Sequence, residues 1–226
     1  MLKEAQAHFL KKIASAKIIT SPYPHLYVPD IFPENYFKQL LKFLPPKKAY
    51  IGVLNAEHYT MECKNLVGIN GKRNHIWLDE YIETIKDQKR NKNFWISLSS
   101  WLSGESIIKE LNNIFVAPYS PIVKNGKKVV LRLVWEEKAI YVSPHMDKFN
   151  KPVTIVFYLK GDSISKTTKG TTLYGALPKK GSKGKTIIFA PNSALISIRT
   201  PKSFHGVEAH KLEDDRKTLH LYLQSS

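Results

Sequence analysis

The sequence holds one cysteine in 226 residues, Cys63. A lone thiol excludes an internal disulfide, and nothing in cysteine usage points to an oxidising compartment. A cytoplasmic protein is expected. No stretch approaches the roughly 18 consecutive apolar residues that a membrane span needs. The first twenty residues show neither an apolar signal core nor a cleavage site, and Glu4 suits a mitochondrial presequence poorly. They read instead as a short basic helix carrying Leu2, Phe9, Leu10 and Ile13. Internal repeats and low-complexity tracts are missing too, and nothing marks a second domain. Acidic residues are scarce, 19 against 35 basic ones, for a net charge of +16. Arginine is scarcer still: Arg73, Arg90, Arg132, Arg199 and Arg216 are the only five, the other 30 cations being lysines. Readers of nucleic acid favour arginine for bidentate contacts. The lysine bias therefore points away from a nucleic-acid partner, although charge alone does not decide the matter.

What is present is ordinary for a single globular domain: 42% hydrophobic and 11% aromatic residues. Residues 26–28 read as a short strand hemmed in by prolines. A helix follows over 34–44, with Tyr36, Phe37, Leu40, Leu41 and Leu44 at helical spacing, and Pro45-Pro46 stops it. Residues 49–57 could be a strand and 68–73 are turn-rich; the stretch 47–80 reads as a peripheral loop with a few packed aromatics. Helices are expected over 81–89 and 94–113, the second broken at Ser103-Gly104. After an Asn125-Gly126 turn the period changes to that of strands. Eight are expected, over 129–136, 140–147, 153–159, 171–174, 186–190, 195–199, 204–208 and 218–224. Residues 161–170 and 178–184 read as lysine-rich loops. The expected organisation is one domain over 1–226, with 1–121 as support and possible lid and 122–226 as the β core.

Chemistry concentrates between Ser143 and Thr218. His145-Met146-Asp147 is a His-x-Asp step, and in an extended strand alternate side chains share a face, so imidazole and carboxylate point the same way. His205 can add a third donor from another strand. Two histidines and a carboxylate on one face, with the opposite face open, form the facial triad of non-haem Fe(II) oxygenases. Arg216, eleven residues after His205, offers a rigid fork for a carboxylate, with the Thr218 hydroxyl on the same strand face. His25, His210, His220 and Trp135 read as structural. Arg132 and Tyr141 lie on strands leading to the triad and are candidate substrate contacts; so is Arg199, unless it is a turn residue.

At these five positions, His145, Asp147, His205, Arg216 and Thr218, the chain resembles the 2-oxoglutarate/Fe(II)-dependent dioxygenases. The likeness extends through Lys151, Phe157-Tyr158-Leu159, Gly170 to Tyr174, Pro191-Asn192-Ser193 and Ser203 to Val207, in the manner of the prolyl-hydroxylase-like branch. The resemblance implies a mostly β fold with N-terminal helices (α+β): a double-stranded β-helix, the jelly-roll or cupin-like core, flanked by supporting helices. For the stretch 47–80 it implies, in place of a peripheral loop, a substrate-facing lid bearing Tyr59, Arg73, His75 and Trp77. It implies Fe(II) held by His145, Asp147 and His205, and 2-oxoglutarate held by Arg216, Thr218 and Tyr158, with O2 as co-substrate. The implied reaction is hydroxylation of an unactivated C–H bond, releasing succinate and CO2. Asp147 stands where related halogenases have a small residue, which favours hydroxylation. Arg216 is not followed by the second arginine of the nucleobase-repair branch, and a late arginine fits prolyl hydroxylases better than the Jumonji branch. The substrate is a small molecule or a peptidyl group, with prolyl or amino-acid-like chemistry favoured. The other reading is a metal-binding jelly roll without turnover, or a basic nucleic-acid-binding protein. An intact arginine clamp speaks for the enzyme.

Overall fold

Helix α1 (Leu2–Ala14) buries Ala5, Phe9 and Ile13, four residues apart and hence on one stripe. In this computed structural model, which describes residues 2–52, 56–86, 89–115, 126–160, 169–179 and 182–225, that stripe lies on the back of a sheet. Strand β1 (His25–Val28) and helix α2 (Glu34–Lys42) follow, then the two-residue strand β2 (Ile51–Gly52) and helix α3 (Ala56–Val67). Strand β3 (Lys72–Trp77), α4 (Leu78–Thr84), α5 (Lys89–Leu102) and α6 (Glu105–Ile114) complete the N-terminal half. The last two helices meet at Ser103-Gly104, as their sequence predicts, with Gly104 as the N-cap of α6.

Eight strands make up the C-terminal half: β4 (Gly126–Glu137), β5 (Ala139–His145), β6 (Val153–Lys160), β7 (Lys169–Tyr174), β8 (Lys185–Ile188), β9 (Ser193–Ile198), β10 (Phe204–Lys211) and β11 (Arg216–Ser225). Together with β1, β2 and β3 they form two antiparallel sheets, ordered β1-β9-β6-β11-β4-β3-β2 and β5-β10-β7-β8. The class is α+β with a jelly-roll core, as expected. Asn125, residues 161–168 and residues 180–181 lie outside the described residues, so the turn and the two lysine-rich loops read there are described only in part.

Period-2 alternation on the larger sheet separates core from site. On β11, Leu219, Leu221 and Leu223 are fully buried against the helices. They join Phe157 of β6, Phe9 of α1, Phe32 and Trp101; the Phe9 and Trp101 rings meet edge-on at 5.2 Å, and Phe32 and Phe157 lie 5.4 Å apart. The helices therefore take up the apolar face of the sheet. The other face is left for Arg216, Thr218, His220 and Tyr222, which look toward the smaller sheet.

Two readings of the N-terminal half need correction. Residues 72–77 are neither lid nor loop: β3 pairs along its whole length with β4, from Lys72 opposite Glu137 to Trp77 opposite Arg132. Of residues 49–57, read as a possible strand, Ile51–Gly52 form β2, and residues 56–67 form α3, whose Cys63 packs on Ala139 at the start of β5. The side chain of Tyr59 lies outside the described residues.

Candidate active site

Strands β5 and β10 pair so that His145 and His205 stand directly opposite, their rings 4.6 Å apart. Gly206 permits this approach, because a Cβ there would sit 2.5 Å from the Val142 carbonyl oxygen of the neighbouring strand. Asp147 lies two residues past the end of β5 rather than within it, yet still faces the histidines. Its Oδ2 is 4.0 Å from His205 Nε2, and the ligand atoms of His145, Asp147 and His205 all fall within 4.8 Å of one another. Each imidazole Nδ1 contacts a carbonyl oxygen two residues back, Ser143 at 2.9 Å and Ser203 at 3.1 Å. A carbonyl only accepts, so Nδ1 carries the proton and Nε2 presents its lone pair inward. Desolvation, then the adjacent His205, pushes the His145 imidazole below its ordinary pKa and keeps it neutral.

Asp147 is held from two sides. The Thr154 hydroxyl donates to its Oδ2 at 2.7 Å, and Arg199 Nε donates to its backbone carbonyl at 2.9 Å. Arg199 thus braces the loop that carries Asp147, its guanidinium 3.7 Å over the Phe149 ring, and does not line the cavity. Partners that orient a ligating carboxylate typically matter roughly ten- to hundredfold in metal affinity. Thr154→Val keeps the β-branched shape and loses the hydroxyl. It is expected to weaken Mn(II) binding, followed by titration, by about that factor with the unfolding midpoint little changed.

His145, Asp147, His205, Arg216, Thr218 and Arg132 line one cavity of about 370 Å³ between the sheets. Of the other residues singled out in the sequence, Tyr158 and Tyr141 stand outside its lining. Tyr158 is fully buried, donating to Thr171 Oγ1 at 2.9 Å and accepting from the Thr171 N–H at 3.3 Å. Tyr141 packs against the cluster of Cys63 and Ala139. Arg73 and His75, read as lid residues, reach the cavity from β3.

The arginine end of the cavity carries a partner that the sequence did not disclose. Arg216 stands opposite Glu136 on β4, which stands opposite Arg73 on β3. Glu136, 2% exposed, accepts from Arg216 Nη1 at 3.1 Å and lies 3.2 Å from Arg73 Nε. Arg216 Nε is buried and, among the described residues, has no hydrogen-bond partner. The guanidinium lies 4.9 Å from the Phe189 ring centroid. An orphaned donor on a buried arginine is costly, and a ligand carboxylate is its natural acceptor.

Along β11, Thr218 Oγ1 contacts His220 Nε2 at 2.9 Å, and His220 Nδ1 contacts the Tyr222 hydroxyl at 2.8 Å. That hydroxyl also accepts from Arg132. Burial first, then Arg132, Arg73, Arg216 and Lys151, pushes His220 well below its ordinary pKa. The ring is neutral, so one of its two contacts is donated and the other accepted. His220, read as structural, is therefore part of the cavity wall. The signal for it was the alternation Arg216, Thr218, His220, Tyr222, which places all four on one face.

No protein-family model matches the chain, and no curated protein sequence matches it. Solved structures do. A prolyl hydroxylase from Trichoplax adhaerens, in complex with a peptide fragment of the hypoxia inducible factor oxygen degradation domain, has a TM-score of 0.59 at 12% identity, over 99% of this chain and 90% of that one. A prolyl-4-hydroxylase from Pseudomonas putida has a TM-score of 0.52 at 10% identity, with both chains fully covered. The fold is that of the 2-oxoglutarate/Fe(II) oxygenases. It is shared also by an oxidoreductase of the 2OG-Fe(II) oxygenase family from Burkholderia pseudomallei, with a TM-score of 0.55 at 9% identity over 96% of this chain and 89% of that one. Within this oxygenase fold, the donor set of His145, Asp147 and His205 fits ferrous iron, with two imidazoles and one carboxylate leaving positions open. Arg216 Nε and Thr218 fit the distal carboxylate of 2-oxoglutarate. No helix among the described residues is long and apolar enough to cross a membrane.

Proposed function

We propose that the chain is a 2-oxoglutarate- and Fe(II)-dependent dioxygenase that hydroxylates an unactivated C–H bond. Overall, substrate, O2 and 2-oxoglutarate become alcohol, succinate and CO2, one oxygen atom entering each organic product. The observation that carries this reading is the placement of the His145, Asp147 and His205 donors and the unpartnered Arg216 Nε in a single cavity. Iron bound by the three donors supplies the activation of O2. The protein's own work is to hold His145 neutral, to fix both Nε2 atoms through the Ser143 and Ser203 carbonyls, and to orient Asp147 through Thr154. Arg216 and Thr218 bind the distal carboxylate, and Tyr158 supports the Thr171 side of that end through its hydroxyl.

Likeness to prolyl hydroxylases favours a prolyl or amino-acid-like substrate, as a peptidyl group or a small molecule. A single buried thiol, Cys63, suits a reducing cytoplasmic setting, where ferrous iron persists. The test is Arg216→Ala. Losing a charge-assisted bond costs on the order of 1.5–3 kcal/mol, so the 2-oxoglutarate concentration at half-saturation is expected to rise roughly tenfold or more, with Fe(II) binding retained. Unchanged co-substrate affinity would remove Arg216 from the site.

A further inference from the structure

The cavity carries more positive charge than iron and co-substrate can use. Five cations line it, Arg73, Arg132, Arg216, Lys148 and Lys151, against two carboxylates, Glu136 and Asp147. Glu136 serves Arg73 and Arg216, and Asp147 belongs to the metal centre. Fe(II) and the 2-oxoglutarate dianion offset each other. Of the three cations left, Lys148 is exposed to solvent, whereas Arg132 and Lys151 are partly buried; among the described residues, neither of these two has a carboxylate within ion-pair distance.

Both are held in place nonetheless. The Arg132 guanidinium lies 5.5 Å from the Trp77 ring centroid and 5.2 Å from that of Tyr222, and donates to the Tyr222 hydroxyl. Its Nε is buried and, among the described residues, has no hydrogen-bond partner. The Lys151 ammonium sits 3.9 Å over the Tyr222 ring. Two cations fixed around one aromatic ring, half out of water and without a counter-ion, incur a desolvation cost that an incoming anion would relieve.

We infer that Arg132 and Lys151 form a second anion subsite, distinct from Arg216, and that the primary substrate is a small organic carboxylate bound there through its acid group. The inference rests on the dioxygenase reading and narrows it. Lys151 lines the same cavity wall as Asp147 and Thr154, so the subsite borders the metal centre. A carboxylate there brings the neighbouring C–H bonds to the reactive side. A cavity of about 370 Å³ shared with 2-oxoglutarate suits a small acid. With Asp147 and Glu136 already engaged, no carboxylate among the described lining residues is left to pair with an ammonium, which favours an acylated amino acid over a free one.

The experiment is an anaerobic calorimetric titration of the Fe(II)-loaded protein under saturating 2-oxoglutarate. The probes are monocarboxylates from propionate to N-acetylproline, each beside its neutral amide. At least one carboxylate is expected to bind about tenfold or more tighter than its amide, as a charge-assisted bond implies. That preference should collapse in both Arg132→Gln and Lys151→Met. No preference in wild type, a preference that survives both substitutions, or carboxylates that displace 2-oxoglutarate would each overturn the subsite. The visible band of the Fe(II)–2-oxoglutarate chelate, read in the same wild-type samples, separates the two readings: without it the dioxygenase assignment itself fails, whereas with it only the subsite is judged.

Discussion

His205→Ala is expected to abolish the visible chelate band in an anaerobic titration with Fe(II) and 2-oxoglutarate, and with it all iron-dependent turnover. The His205 Nε2 is one of three ligand atoms gathered within 4.8 Å, and no fourth histidine, cysteine or acid among the described residues joins that group. Removing it leaves one imidazole and one carboxylate, which cannot hold a facial site. Partners that merely orient ligands typically matter ten- to hundredfold in affinity, so loss of a ligand should cost more than roughly a hundredfold. The fold should survive. His205 is half-buried at the cavity, its backbone pairs with His145 and Leu173 irrespective of side chain, and Gly206 still lets the strands approach. A folded variant whose band persists would end the assignment of His205 as a ligand. Asp147→Ala should behave alike in metal binding while also releasing the Thr154 hydroxyl from its acceptor.

His145 with Asp147, and Arg216 with Thr218, were legible because each pair sits two apart, whereas His205, on another strand, came with the resemblance to the dioxygenases. The eight core strands were legible by their β-branched runs. Sheet pairing was not. Lys72–Trp77 reads Lys-Arg-Asn-His-Ile-Trp, with Ile76 its only aliphatic residue, and becomes a strand only because β4 offers a free edge. Glu136 is the sharper case. In sequence it is half of a Glu-Glu pair beside Lys138, which reads as a solvated strand end. Its burial depends on registers that bring it opposite Arg216, 80 residues on, and Arg73, 63 residues back. His220 was passed over because a histidine beyond the arginine has no place in the family's motif. The cavity claims it by alternation alone.

Glu136→Ala is accordingly expected to be among the most destabilising single changes available on the inner face of the sheet. The substitution would leave Arg216, 5% exposed, and the partly buried Arg73 without their shared acceptor. Removing one partner of a buried ion pair typically costs about 3–5 kcal/mol, because the remaining charge is uncompensated. Urea denaturation should show that loss as a lower midpoint at an unchanged slope. Glu136→Gln keeps an acceptor for one guanidinium and should fall between wild type and alanine. The dioxygenase reading adds a second, sharper consequence. With Glu136 gone, the distal carboxylate of 2-oxoglutarate becomes the only anion facing Arg216. A ligand that binds only the folded state stabilises in proportion to the logarithm of its concentration over Kd. Added 2-oxoglutarate should therefore recover more stability in Glu136→Ala than it confers on the wild type. A loss under about 1 kcal/mol, below the usual range for a buried pair, would show that water already screens the trio. A full loss with no recovery by 2-oxoglutarate would place the co-substrate away from Arg216. Glu136 then acts in two ways: it holds the clamp arginine in position in the absence of ligand, and it sets how much of that arginine's charge the co-substrate can use.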